Sequence, residues 1–322
     1  MRKDMQSRRF TFPSADGLHE IRAMEWRPED GCPVHGVVQI IHGMCEYLER
    51  YEEFASYLCD HGFIAAIHDQ LGHGDTARSR EEFGFFTETP GPSGVLTADI
   101  DRMRIFMRQC YPQLPYFMLG HSMGSYLLRK YLAEHDAEDL SGAIIMGTGY
   151  VPPLKTRGAL GLIRANAAVH GWHYRSGLIR QIATGGGPYR RYDTYGKDVA
   201  RSWLSKNEEN VRAYYANPKS HFIFTLNGYE GLLEAVLSSC SSGAFAAFPK
   251  ELPVYLVSGE LDPVGDLGEG VRKVYELFKK AGLKDISMRL FAGDRHEILN
   301  ETDRADVYAD LLGWIGEHLP QG

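Results

Sequence analysis

Short apolar runs alternate with stretches of helical spacing along almost the whole of this 322-residue chain, and the alternation breaks only once. Residues 8–12 and 19–26 read as an antiparallel pair joined by the turn Ser14-Ala15-Asp16-Gly17. Apolar strand-like runs follow at 36–41, 63–67, 116–119, 141–146, 254–257 and 286–290. Helical spacing falls between them at 51–59, 96–110, 125–132, 270–280 and 304–318. Strands that alternate with helices imply a parallel sheet covered on both faces. The expected class is therefore α/β: a mostly parallel eight-stranded sheet with one antiparallel edge. The break lies between Met146 and Leu252, where about a hundred residues far exceed ordinary loop lengths. That segment has helical stretches and many aromatics, among them Trp172, Trp203 and Tyr229. It reads as an inserted helical cap over the carboxyl ends of the strands, where open α/β sheets bind ligands. The expected division is a core of 1–147 and 251–322 with a cap of 148–250.

The most informative five residues are Gly120-His121-Ser122-Met123-Gly124. They fit G-x-S-x-G between an apolar strand and a helix, the context that gives this short pattern its meaning. Glycines flank the serine because the turn leaves no room for side chains. The helix that follows aims its first N–H groups at whatever the serine attacks. A serine hydroxyl needs a base, and the base needs an orienting acid. On sheets with this signature the acid follows the nucleophile in the chain and the histidine comes last. Asp262 follows the strand at 254–257, and His296 follows the strand at 286–290. Glu260 and Asp294 are rival acids; Asp262 is preferred because the Pro263 turn fixes its backbone. The oxyanion donors are expected to be the backbone N–H groups of Met123, after the nucleophile, and of Met44, in the loop His42-Gly43-Met44. His42 is expected to buttress that loop.

Composition narrows the function classes. A net charge of −7 argues against a general nucleic-acid binder. No uninterrupted apolar run is long enough to span a bilayer, and the basic start at 1–9 has no apolar stretch behind it to make a signal peptide. Five scattered cysteines, odd in number and without metal-ligand spacing, suit free thiols in a reducing cytoplasm. His68, Asp69, His73 and Asp75 lie in a glycine-rich tight turn rather than a metal site, Gly185-Gly186-Gly187 reads as a cap hinge, and Cys240 as a small buried residue.

The segment His42-Gly43-Met44-Cys45-Glu46-Tyr47-Leu48-Glu49-Arg50-Tyr51 resembles the HGMxEHxxRY stretch of the monoacylglycerol lipase and lysophospholipase branch of the α/β-hydrolases. Asp69-Gln70-Leu71-Gly72-His73-Gly74-Asp75-Thr76 is similar to its DxRGHGxS turn. Leu261-Asp262-Pro263-Val264-Gly265 and 295–301 fit its DPVG and RHExxNE segments. The resemblance implies the α/β-hydrolase fold and a serine carboxylic-ester hydrolase that needs no metal or cofactor. Tyr47 stands where that branch usually has histidine, near the oxyanion loop, which puts the acyl or alcohol preference in question; Leu71 stands where it has arginine, a change expected to alter only core-to-turn packing. Glu46 and Arg50 match the motif. As an exposed i,i+4 pair they would contribute only a few tenths of a kcal/mol, a positioning role at most.

Three function classes follow. The first is an esterase on lipid-like esters, monoacylglycerols or lysophospholipids, working through an acyl-enzyme. The second is a proline-type aminopeptidase on the same fold, which would need a carboxylate cluster in the cap. The third, a non-catalytic binder, has no need of Ser122, Asp262 and His296. The segment 150–250 carries thirteen Lys and Arg against six Asp and Glu, a local charge of +7. Two readings stand for it: solvated faces of cap helices, or a basic rim, including Arg190 and Arg191, for transient contact with a membrane or micelle.

Overall fold

The computed structural model describes residues 5–320; residues 1–4 of the basic start lie outside the described residues, as do 321–322. Eight strands form one sheet: β1 (Gln6–Pro13), β2 (Glu20–Arg27), β3 (Gly36–Ile41), β4 (Phe63–His68), β5 (Tyr116–His121), β6 (Gly142–Met146), β7 (Val254–Gly259) and β8 (Ile286–Phe291). Their order is β1-β2-β4-β3-β5-β6-β7-β8. The pairings β1/β2 and β2/β4 are antiparallel, and every pairing from β4 through to β8 is parallel. This is the α/β-hydrolase architecture.

Ten α-helices accompany the sheet among the described residues: α1 (Glu52–Asp60), α2 (Pro92–Cys110), α3 (Met123–Glu134), α4 (Pro153–His170), α5 (Gly177–Thr184), α6 (Glu208–Ala216), α7 (Leu226–Ser239), α8 (Ser242–Ala247), α9 (Glu269–Lys280) and α10 (Arg304–Glu317). Strand alternation sends neighbouring side chains to opposite faces. Val37, Ile41, Tyr116 and Met118 enter one apolar cluster with Ile100 and Met103 of α2, Leu127 of α3 and Val274 of α9. Val38, Ile40, Phe117 and Leu119 enter the other with Phe54 and Leu58 of α1 and Leu311 and Ile315 of α10. The central strands are buried on both faces, so they read as continuous apolar runs. The helix expected at 96–110 begins four residues earlier, because Pro92 takes the first helical turn and Gly91 ahead of it adopts φ +74°.

Helices α4 to α8 fill the stretch between β6 and β7. Helix α7 packs on α2, α3 and α4, and α8 on α3, so the last part of this stretch shares the core of the sheet. Arg129 of α3 is 1 % exposed and makes the junction. Its guanidinium donates to Thr148 Oγ1 (3.2 Å) and the Gly149 carbonyl (3.1 Å) where the stretch leaves β6, and to the Ser239 carbonyl (2.7 Å) at the end of α7. It also lies over the Phe245 and Phe278 rings, at 5.5 and 5.9 Å.

Candidate active site

The register brings the carboxyl ends of the parallel strands to one edge: Ile41 lies beside Gly120, His121 beside Met146, and Gly259 beside Phe291. Ser122 sits between β5 and α3 at φ +53°, ψ −118°, a conformation that costs a non-glycine residue about 1–3 kcal/mol. Hydrogen bonds on both sides hold it there: Ser122 N–H donates to the Met146 carbonyl and Ser125 N–H to the Ser122 carbonyl, both at 2.9 Å. The turn tolerates only glycine at its flanks. A Cβ at Gly120 would lie 2.5 Å from the Gly124 carbonyl oxygen, and one at Gly124 would lie 2.1 Å from that of Ile41.

His296 follows β8 and Asp262 follows β7. His296 Nδ1 bonds Asp262 Oδ2 at 3.0 Å, and both side chains are buried. Asp262 also accepts from Ser258 Oγ (3.0 Å) and from the Val264 N–H (2.8 Å). Burial pushes its pKa up, but His296 and these donors outweigh burial and hold it below the usual carboxylate value. Of the rivals, Asp294 bonds Lys206 and Glu260 is exposed. Ser122 and His296 line one cavity of about 580 Å³, whose walls include Leu162, Ile163, Ile182, Leu233 and Val236. No hydrogen bond joins Ser122 Oγ to His296 in this conformation.

Met44 and Met123 also line that cavity. Among the described residues neither N–H group is committed to another hydrogen bond, whereas those on either side of Met44 are: Gly43 N–H donates to Glu46 Oε2 (2.8 Å) and Cys45 N–H to His73 Nε2 (3.2 Å). Gly43 passes so close that its Cβ would lie 3.0 Å from that of Ser122. His42 accepts from the Gln70 N–H at Nε2 (2.9 Å), and its Nδ1 bonds the Gly43 carbonyl (2.8 Å).

The Glu46–Arg50 pair is buried, not exposed as its sequence spacing suggested. Glu46 Oε2 accepts from Gly43 N–H, Tyr51 OH and His121 Nδ1, each at 2.8 Å, and Oε1 accepts from Arg50 Nε at 3.2 Å. Arg50 reaches on to Glu297 Oε2 at 2.6 Å. His121 Nε2 faces the His296 carbonyl at 3.2 Å. A carboxylate and a carbonyl can only accept, so both ring nitrogens of His121 carry protons. Burial lowers the His121 pKa, but the Glu46 charge and hydrogen bond outweigh it and raise it above its ordinary value. Burial in turn raises that of Glu46, and His121, Arg50 and Tyr51 drive it well below. The sequence pointed to Glu46, Arg50 and His121 by motif alone; Tyr51 and Glu297, which complete the network, carried no signal of their own beyond lying in the matched segments.

The inserted stretch also meets the histidine loop. The Trp203 indole stacks on His296, ring centroids 5.0 Å apart at 29°. Arg295 donates to the Ser202 carbonyl at 2.5 Å, Glu297 N–H to the Leu204 carbonyl at 2.8 Å, and Ser205 Oγ to Glu301 Oε2 at 2.6 Å. Tyr47 faces the same stretch: its hydroxyl accepts from Asn217 Nδ2 at 2.6 Å, and Lys219 lies over its ring at 5.5 Å. Leu71 is fully buried.

Known proteins resemble this chain in sequence and fold. The chain is 25 % identical over 303 residues to the monoacylglycerol lipase of Mycolicibacterium smegmatis, covering 91 % of this chain and 92 % of that one. It is 25 % identical over 285 residues to Phospholipase YtpA of Bacillus subtilis, covering 88 % and 96 %. A solved structure of a highly thermostable carboxyl esterase from Bacillus coagulans, in complex with glycerol, superposes with a TM-score of 0.88 at 27 % identity, over 98 % of this chain and 100 % of that one. The model of the family Hydrolase_4, serine aminopeptidase S33, matches residues 33–303, and this chain, a serine hydrolase of the α/β-hydrolase fold, belongs to that family.

Proposed function

We propose that this enzyme hydrolyses lipid-like carboxylic esters, monoacylglycerols or lysophospholipids, through an acyl-enzyme on Ser122. The observation that carries the reading is the apolar cavity of about 580 Å³ with Ser122 and His296 in its wall and Asp262 bonded to the far side of that histidine. Ser122 Oγ attacks the ester carbonyl while His296 Nε2 takes its proton. Asp262 keeps Nδ1 protonated and stabilises the imidazolium. The Met44 and Met123 N–H groups receive the oxyanion. The imidazolium then gives its proton to the departing alcohol, and a water, deprotonated by the same histidine, releases the acid.

The similarity to a monoacylglycerol lipase and a phospholipase supports the ester reading. The aminopeptidase reading needs a free carboxylate to receive an amino terminus. The cavity's acids outside the proposed triad are Glu46 and Glu297, and Arg50 engages both.

The cap reading extends to 148–250. Leu162 and Ile182 line the cavity yet are 47 % and 59 % exposed, which sets its mouth between α4 and α5. Leu154, Val169 and Leu178 are exposed on the same two helices, and Arg190 and Arg191 are exposed beyond α5. Such a rim suits transient docking on a micelle or an anionic membrane. Among the described residues no helix is long and apolar enough to cross a membrane. Five free cysteines fit the reducing cytoplasm as the place of work.

The test is a fluorophosphonate probe followed by a substrate panel. Ser122 should be the labelled residue, and octanoyl or longer glycerol esters should exceed acetyl esters and proline peptides in kcat/KM. Labelling elsewhere, or a faster peptide substrate, would overturn the assignment.

A further inference from the structure

A second, smaller cavity opens off the first beside the oxyanion loop. Met44, Thr184, Trp203, Tyr214 and Tyr229 wall both. Its own lining adds Phe222 and a set of polar groups on Cys45, Arg180, Thr194, Tyr215 and His221. Its volume of about 40 Å³ has room for about three water-sized groups. Cys45 adopts φ +58°, next to the proposed oxyanion donor Met44, and its thiol bonds the Phe222 carbonyl at 3.2 Å.

Arg180 supplies the charge here. Its guanidinium donates to His221 Nε2 at 3.1 Å and lies 4.9 Å over the Tyr195 ring. Both partners are neutral: a histidine that accepts at Nε2 is not imidazolium, and burial beside Arg180 lowers the His221 pKa. These two contacts fix the direction of the guanidinium without cancelling its charge. Among the described residues no carboxylate lies within ion-pair distance of Arg180, and none lines the small cavity. Asp193, on the loop that carries Thr194 and Tyr195, accepts from the backbone N–H groups of Tyr195 and Asp198. Burial raises the pKa of the Cys45 thiol to about 12 and that of the Tyr215 phenol to about 12, so neither brings a negative charge. The large cavity takes an apolar chain; the small one, one residue from the oxyanion donor, holds a directed and uncompensated cation. A guanidinium so placed suits bidentate recognition of a phosphate or carboxylate.

We propose that Arg180, held by His221, is a subsite for an anionic group on the alcohol side of the ester, a phosphate by its chemistry, so that the preferred substrates are phosphate-bearing monoacyl esters rather than neutral ones. The proposal rests on the ester-hydrolase reading above.

The test compares 1-octanoylglycerol with 1-octanoylglycerol 3-phosphate, each below its micelle concentration, on the native enzyme, Arg180→Gln and Arg180→Lys. Glutamine keeps a donor for His221 and removes the charge. Arg180→Gln should lose about tenfold or more in kcat/KM on the phosphate ester, the scale of a charged hydrogen bond, and stay within twofold on the neutral ester. Arg180→Lys should retain part of the preference. Equal losses on both esters would make Arg180 a structural brace, and no selective loss would remove the subsite; either result overturns the proposal. Inorganic phosphate at matched ionic strength distinguishes the source of the anion. If it inhibits neutral-ester hydrolysis in the native enzyme only, and the phosphate ester shows no advantage, the site serves a free ion and the substrate assignment falls. Binding of the same two esters to Ser122→Ala, followed by indole fluorescence, requires no turnover. A selective loss of phosphate-ester binding on adding Arg180→Gln supports the subsite even if hydrolysis fails, and its absence rejects the subsite even if hydrolysis succeeds.

Discussion

Gly124→Ala tests whether the elbow's geometry, rather than its serine alone, sets the rate. The new Cβ would stand 2.1 Å from the Ile41 carbonyl oxygen and 2.8 Å from that of His42, where ordinary contact begins at 3.4 Å. The obstacle is backbone, so no side chain can swing aside. Helix α3 must withdraw from β3 by about 1.3 Å, the difference between the observed and ordinary contact. The withdrawal separates the two proposed oxyanion donors, since Met123 rides on α3 and Met44 on the loop after β3. A misplacement of about 1 Å can cost roughly a hundredfold in rate. Overpacking should cost about 1–3 kcal/mol of stability. The assay is kcat/KM on p-nitrophenyl octanoate together with the rate of fluorophosphonate labelling, and both should fall in parallel while urea unfolding stays cooperative. Gly161→Ala is the control: its Cβ meets nothing within 4 Å, so activity should not change. If Gly124→Ala keeps more than a third of native kcat/KM, the close approach of α3 to β3 does not set the donors.

Ser122→Ala should remove about a millionfold of turnover with the fold retained, as in comparable triads, and Asp262→Asn should cost less; a greater loss in Glu260→Gln or Asp294→Asn would move the acid's role. Glu46→Gln should slow labelling of Ser122 about tenfold or more by freeing the Gly43 tether, and unchanged labelling would reduce the network to packing. Its stability cost should depend on pH. The Glu46 contribution is complete above its ordinary pKa of 4.5 and is lost as pH falls through its lowered value. The His121 contribution is complete below 6.5 and is lost as pH rises through its raised value. Urea unfolding should therefore show a larger penalty for the variant at about pH 5.5 than at about pH 9, and a pH-independent penalty would refute the ion pair. Arg190→Gln with Arg191→Gln should reduce the rate on anionic vesicles at low salt without changing hydrolysis of a soluble ester; equal native rates on anionic and neutral vesicles would reject the basic rim.

What the sequence revealed depended on range. The central strands were visible because each is a continuous apolar run, and β3 and β5 are buried along their whole length; β1 and β2 were read instead from the turn between them. Asp262 and His296 were singled out by chain order, since each had only to follow its strand, and the structure pairs them at 3.0 Å. Contacts with no periodic or positional trace stayed hidden. Glu46 and Arg50 looked like an ordinary surface pair because their decisive partners, His121 and Glu297, lie 75 and 247 residues away. The same distance hid Trp203 on His296 and Arg180 beside Cys45. The start of α2 was missed because Pro92 was not recognised as a first-turn residue.

Arg129 couples the start of the stretch between β6 and β7, and the end of α7 within it, to the helix that follows Ser122. A stretch anchored to one side chain at its start and again after α7 cannot swing away as a flap on a single hinge. On the proposed cap reading, substrate enters between α4 and α5, where Leu162 and Ile182 line the cavity and are exposed. It follows that the proposed cover is not an interchangeable module. A graft of residues 148–250 onto a related core would arrive without its anchor unless an arginine already stood at the second turn of the helix after the recipient's serine, opposite carbonyls from the start of the stretch and from the end of α7.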